Sequence, residues 1–137
     1  MLNLRHDELA EFCGRHELAL VVLFGSRAKG CATSRSDVDL AVLSLRPHLE
    51  VDYQESVWED FLRLLQRGDV DLVWLHQATP LLGYQVATTG QALYEARPGL
   101  FRDFALRAIK KHWDARKFYD LKREALSRFL GKANHAR

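Results

Sequence analysis

The sequence predicts a mixed α/β (α+β) fold: a small sheet flanked by helices, followed by a long basic C-terminal helix or helix pair. Apolar runs of strand length, Leu18 to Phe24, Val38 to Leu43 and Val70 to Leu75, alternate with segments whose apolar residues recur at helical intervals. Gly, Pro, Asp and Ser punctuate the junctions. From Phe101 onward apolar residues keep helical spacing almost to the end of the chain, and Lys and Arg fill the other faces.

Each element has its own signal. Between Asp7 and His16, Leu9, Phe12 and Cys13 share one helical face, and Gly14 weakens the pattern near its end, which fits a short covering helix. Leu18 to Phe24 is continuously apolar, as a buried strand requires, and it runs directly into Gly25. Val38 to Leu43 has the same character. Pro47 makes 46–50 a loop, after which Val57, Phe61 and Leu64 with Trp58, Leu62 and Leu65 form an apolar stripe that ends before Gly68. Val70 to Leu75 is the next strand. Thr79 is placed as an N-cap, Pro80 as the first helical residue and Gly90 as the stop. Ala92 to Tyr94 is a last short strand. Phe101, Phe104, Ala108, His112 and Trp113, then Phe118, Leu121, Leu126, Phe129 and Leu130, continue as one long helix or two, with 131–137 expected to fray.

A chain of 137 residues with 47% apolar and 28% charged residues suits one globular domain, read as an N-terminal helix (1–17), an α/β core (18–95) and a basic helical segment (96–137). Its longest apolar run, Leu18 to Phe24, is too short to span a bilayer, and the acidic residues near the N-terminus do not suit a signal or transit peptide. A cytoplasmic location is expected, with no membrane contact. Cys13 and Cys31 form no CxxC pair and read as free thiols. The net charge of +2 conceals a strong split: residues 1–96 hold 8 basic and 14 acidic side chains, whereas 97–137 hold 12 and 4. Such a tail fits an acidic partner, either protein or nucleic acid.

The chemistry concentrates in residues 25–40, GSRAKGCATSRSDVDL. Strand side chains alternate faces, so Asp37 and Asp39 project together while Val38 and Leu40 project the other way. Two adjacent carboxylates repel unless one holds a proton or a hard divalent cation such as Mg²⁺ sits between them. The Gly25–Ser26 turn supplies backbone N–H groups suited to phosphate, Ser36 adds a hydroxyl, and Arg27, Lys29 and Arg35 can screen phosphate charge. Asp71 interrupts an apolar strand, where a lone buried charge is costly, and is the natural third carboxylate. Asp69 points to the same face but directly follows Gly68 and suits a turn. Three carboxylates make a two-metal centre available. The chain has no GxxxxGK[ST] loop, no GxGxxG after a strand and no zinc-type His/Cys spacing.

The pattern G-S-x-A-x-G, then five residues and S-D-x-D-L, carried by Gly25, Ser26, Ala28, Gly30, Ser36, Asp37, Asp39 and Leu40, resembles the DNA polymerase β-type nucleotidyltransferase superfamily. In size and layout the chain is similar to its minimal members, the MNT-type antitoxins that pair with HEPN-domain ribonuclease toxins. The resemblance implies a small mixed nucleotidyltransferase sheet and a Gly25–Ser26 turn that holds nucleotide phosphates. It also implies that Asp37 and Asp39 bind Mg²⁺ and that Asp71 completes the site. Active members of the antitoxin group transfer AMP from ATP to a tyrosine of the toxin, which silences it. Two alternatives stand beside this expectation: a non-catalytic antitoxin that masks the toxin, and a nucleic-acid-binding module. The second is not favoured, because the tail's positive residues surround the helix without an aromatic stacking platform.

Overall fold

The computed structural model describes residues 4–25 and 37–135. Along the chain come α1 (His6–Arg15), β1 (Leu18–Phe24), β2 (Val38–Ser44), α2 (Val51–Leu65), β3 (Val70–Trp74), a 3₁₀ turn (Leu75–Gln77), α3 (Pro80–Thr89), β4 (Gln91–Glu95) and α4 (Leu100–His135). The strands form one sheet in the order β3-β2-β1-β4. β1 runs antiparallel to both β2 and β4. β2 and β3 are parallel, the arrangement a helical crossover such as α2 permits.

The alternation of side chains gives the sheet two buried faces. Leu18, Val21, Leu23, Val38, Leu40, Val42 and Val70 pack with Leu9, Phe12 and Cys13 of α1 and Val57 and Phe61 of α2. Leu20, Val22 and Ala41 pack on the opposite side with Leu75 and Val86, joined by Phe101 and Phe104 from the start of α4. Central strands covered on both faces read as unbroken apolar runs, which is why β1 was legible as LALVVLF.

Local chemistry sets the boundaries. Thr79 Oγ1 accepts the Leu82 backbone N–H at 3.2 Å, with Pro80 in the first turn, and α3 stops at Gly90 as expected. Glu95 Oε1 accepts the Phe101 N–H at 2.8 Å and so caps the start of α4 from β4. α2 ends before Gly68 as expected, and α1 runs through Gly14 to Arg15. Their left-handed residues are Glu17 (φ 56°) and Gln66 (φ 53°), not the nearby Gly14 and Gly68. β3 ends at Trp74, one residue before the expected Leu75, which turns inward and is buried.

The C-terminal segment is a single helix of 36 residues, about 54 Å long. It passes through Gly131 to His135, so the expected fraying from residue 131 is corrected to a helix that ends later. A glycine costs a helix about 1 kcal/mol, and extending a formed helix needs no new nucleus, so one glycine does not stop it. Among the described residues no helix is long and apolar enough to cross a membrane.

Candidate active site

β1 leaves the sheet at the end where β2 and β3 begin, and the acidic residues gather there. Asp39 pairs in register with Phe24 of β1 on one side and with Asp71 of β3 on the other. Neighbouring strands lie about 4.8 Å apart, so these two carboxylates leave the sheet close together. Asp39 shares its face with Ala41, in the cluster under α3 and α4, and Asp71 shares that face with Val73. Asp37 precedes β2 by one residue and is exposed, as is Asp71, whereas Asp39 is half-buried.

Burial raises the Asp39 carboxyl above the ordinary carboxylate range, and the charges of Asp71 and Asp37 raise it further. Electrostatic coupling thus links all three predicted carboxylates. Gly25 adopts φ +78°, and a Cβ built there would run into the Asp39 Oδ2 atom and stand 3.3 Å from its Cγ. The carboxylate therefore rests on the bare backbone of the turn, a closeness and a conformation that both favour glycine.

Asp69, the competing third carboxylate, is differently employed. It pairs with the Arg67 guanidinium through both carboxylate oxygens, and its backbone oxygen accepts the Val38 N–H at 2.9 Å. The bond to Asp69 holds Arg67 firmly charged, and the nearby negative charge of Asp37 acts in the same direction. Arg67 was not singled out from the sequence. Its one signal is proximity, because it shares the short run RGDVD with both aspartates.

Ser26, Arg27 and Ser36, together with Lys29 and Arg35, lie outside the described residues. Among the described residues no three His, Cys, Asp or Glu side chains are gathered closely enough to hold one ion. The donor set is nevertheless one of carboxylate oxygens, which fits a hard divalent cation and not a soft one. Beside Asp71, at the sheet's β3 edge, a cleft of about 450 Å³ is lined by Gln54, Glu55, Trp58 and Trp74 among others.

Residues 7–98 match the polymerase beta nucleotidyltransferase family. The chain belongs to that family. The matched span contains Gly25, Asp37, Asp39 and Asp71. This nucleotidyltransferase is 29% identical over 121 residues to the protein adenylyltransferase MntA of Aphanizomenon flos-aquae, covering 82% of this chain and 81% of that one. It superposes on a chain of a toxin–antitoxin crystal structure with AMP-PNP at a TM-score of 0.68 and 26% identity, over 93% of this chain and 98% of that chain. A complex of tri-AMPylated Shewanella oneidensis HEPN toxin with MNT antitoxin gives 0.63 and 26%, over 95% and 98%. Coverage of this extent takes in α4 as well as the catalytic layer.

Proposed function

We propose that this nucleotidyltransferase is the antitoxin of a toxin–antitoxin pair and acts as a protein adenylyltransferase, moving AMP from ATP to a tyrosine hydroxyl of a cognate HEPN ribonuclease toxin. The relatives named above support the activity and the partner class. The observation that carries the reading for this chain is the Asp39–Asp71 register, with Asp37 coupled to it and the Gly25 turn closed against Asp39.

Asp37, Asp39 and Asp71 would supply the carboxylates for two Mg²⁺ ions, with Asp71 on the acceptor's side. Bound there, the ions supply charge neutralisation for the triphosphate and activation of the attacking oxygen. The protein's own part is positioning. The backbone at Gly25 and Ser26, with Arg27 and Ser36, binds the triphosphate. Asp71 takes the tyrosine proton as the phenolic oxygen forms its bond to the α-phosphorus. The bond from that phosphorus to the bridging oxygen breaks, and pyrophosphate leaves with the electron pair.

Intact mass of the toxin after incubation with ATP and Mg²⁺ tests the reading: one or more added AMP units are expected with the wild type and none with Asp39→Asn. Neutralisation without any added mass, retained by an Asp37→Ala, Asp39→Ala double variant, would assign the chain to inhibition by contact instead.

A further inference from the structure

The first half of α4 is tied into the protein, with Phe101 and Phe104 against the sheet and Ala108 buried. Tyr84 of α3 stacks on His112 at 4.1 Å and meets Trp113 edge-on. Beyond that point the helix carries a second set of large apolar side chains that no part of the described chain covers. Phe118, Tyr119, Leu121, Leu126, Phe129 and Leu130 are 52–68% exposed. At the helical repeat they fall on one half of the helix, together with Ala115 and Ala125. The other half carries Arg116, Lys117, Arg123 and Arg128 against Asp120 and Glu124. Lys122, within the apolar half, lays its ammonium over the Phe118 ring at 5.0 Å, leaving its stem along the same surface.

Such a stripe is costly to leave in water, and patches of this kind mark protein interfaces. The geometry points to residues 118–130 of α4 as the docking surface for the toxin, which would present an apolar helix face bordered by acidic side chains. This inference rests on the antitoxin reading above for the identity of the partner. Charge selects the occupant. Residues 97–137 hold 12 basic and 4 acidic side chains, so a second copy laid along the stripe would bring like charges together at its borders, whereas an acidic rim would complement them. The stripe begins at a groove of about 530 Å³ between Leu81, at the start of α3, and Tyr119, with Arg116 and Arg123 on its walls. The groove gives the partner's helix a seat at the body of the protein, and the projecting helix a long contact beyond it.

The test uses the whole chain and its cognate HEPN toxin, mixed without ATP so that binding is read apart from modification. Leu126→Ser with Phe129→Ser is expected to weaken the complex roughly 100-fold by calorimetry, as loss of two central apolar anchors does. Helicity and AMP-PNP affinity should stay unchanged, because these side chains touch nothing in the core. Tyr119→Ser is expected to weaken it also, and wild-type affinity should fall with added salt. Wild-type affinity in both variants, or no complex with the wild type, overturns the inference. So does a wild-type homodimer that the double variant abolishes while toxin affinity is kept, or RNA oligonucleotide binding lost under the same condition. A wild type that binds the toxin through this stripe yet adds no AMP leaves the docking surface standing and removes the enzymatic reading.

Discussion

Asp39 and Asp71 stand opposite one another on adjacent parallel strands, so two carboxylates that are far apart in sequence share one end of one sheet face. That register has a cost in the protein without cations. The Asp39 carboxyl keeps its proton to higher pH in the folded chain than in the unfolded one, first through burial and then through Asp71 and Asp37. Over that window the folded state binds more protons, so stability falls as pH rises through the raised value, and the penalty is absent below the ordinary carboxylate range. Asp39→Asn is therefore expected to raise the thermal midpoint at neutral pH in chelator and to flatten this acid-side slope. AMP transfer should fall by more than about 100-fold, beyond the loss seen when a group merely supports a metal ligand. Thermal scans across pH, paired with transfer assays, check both halves. A variant less stable than wild type at neutral pH in chelator would contradict the electrostatic account.

Gly25 is the second half of that relationship. Its φ of +78° disfavours a side chain, and the space a Cβ needs is taken by the Asp39 carboxylate. Gly25→Ala is expected to destabilise the chain by about 1–3 kcal/mol, the usual range for a strained backbone position, and to reduce transfer by displacing Asp39. In an Asp39→Ala background the collision disappears and only the backbone strain remains. The double-mutant cycle should then show a coupling of at least about 0.5 kcal/mol. Strict additivity by denaturant titration would mean that the two residues do not touch in solution.

Cys13 is fully buried in α1 against the sheet, and burial pushes its thiol up to about 12. The nucleophile is the thiolate, so the native thiol should be inert at neutral pH. In a Cys31→Ser background, alkylation at pH 8 is expected to proceed only as fast as the protein opens, and to become complete in denaturant. Rapid labelling of the native protein would show that α1 detaches easily.

The fold and the centre of the site were legible for different reasons. β1 and β2 are covered on both faces, so their apolar runs stand out, and Thr79, Pro80 and Gly90 carry cap chemistry that acts through neighbours only a few residues away. The D-x-D pair was readable because strand alternation is a local rule. The choice between Asp69 and Asp71 turned on register, which exists only when β3 lies beside β2, and on the pairing of Asp69 with Arg67 two residues before it. Glu17 and Gln66 were not legible as left-handed residues, since the surrounding packing imposes that conformation on side chains that do not favour it. The exposure of residues 118–130 was hidden for a similar reason. An apolar stripe reads identically whether the chain itself or another protein covers it.

Gly90 tests how tightly α3 must approach the sheet. Its backbone φ of −77° suits any residue, yet a Cβ there would collide with the Val86 carbonyl oxygen and lie 2.5 Å from Val22 Cγ1. Val22 is fully buried at the centre of β1, with strands on both sides, so it cannot yield without disturbing the sheet. Gly90→Ala is therefore expected to cost about 1–3 kcal/mol through overpacking, lowering the thermal midpoint by several degrees for a chain of this size. Val22→Ala in the same chain removes the opposing methyl groups and should recover part of that loss, although alone it opens a cavity and destabilises. A Gly90→Ala protein with unchanged stability would mean that α3 can withdraw from β1 without penalty, leaving the sheet face beneath it only loosely covered.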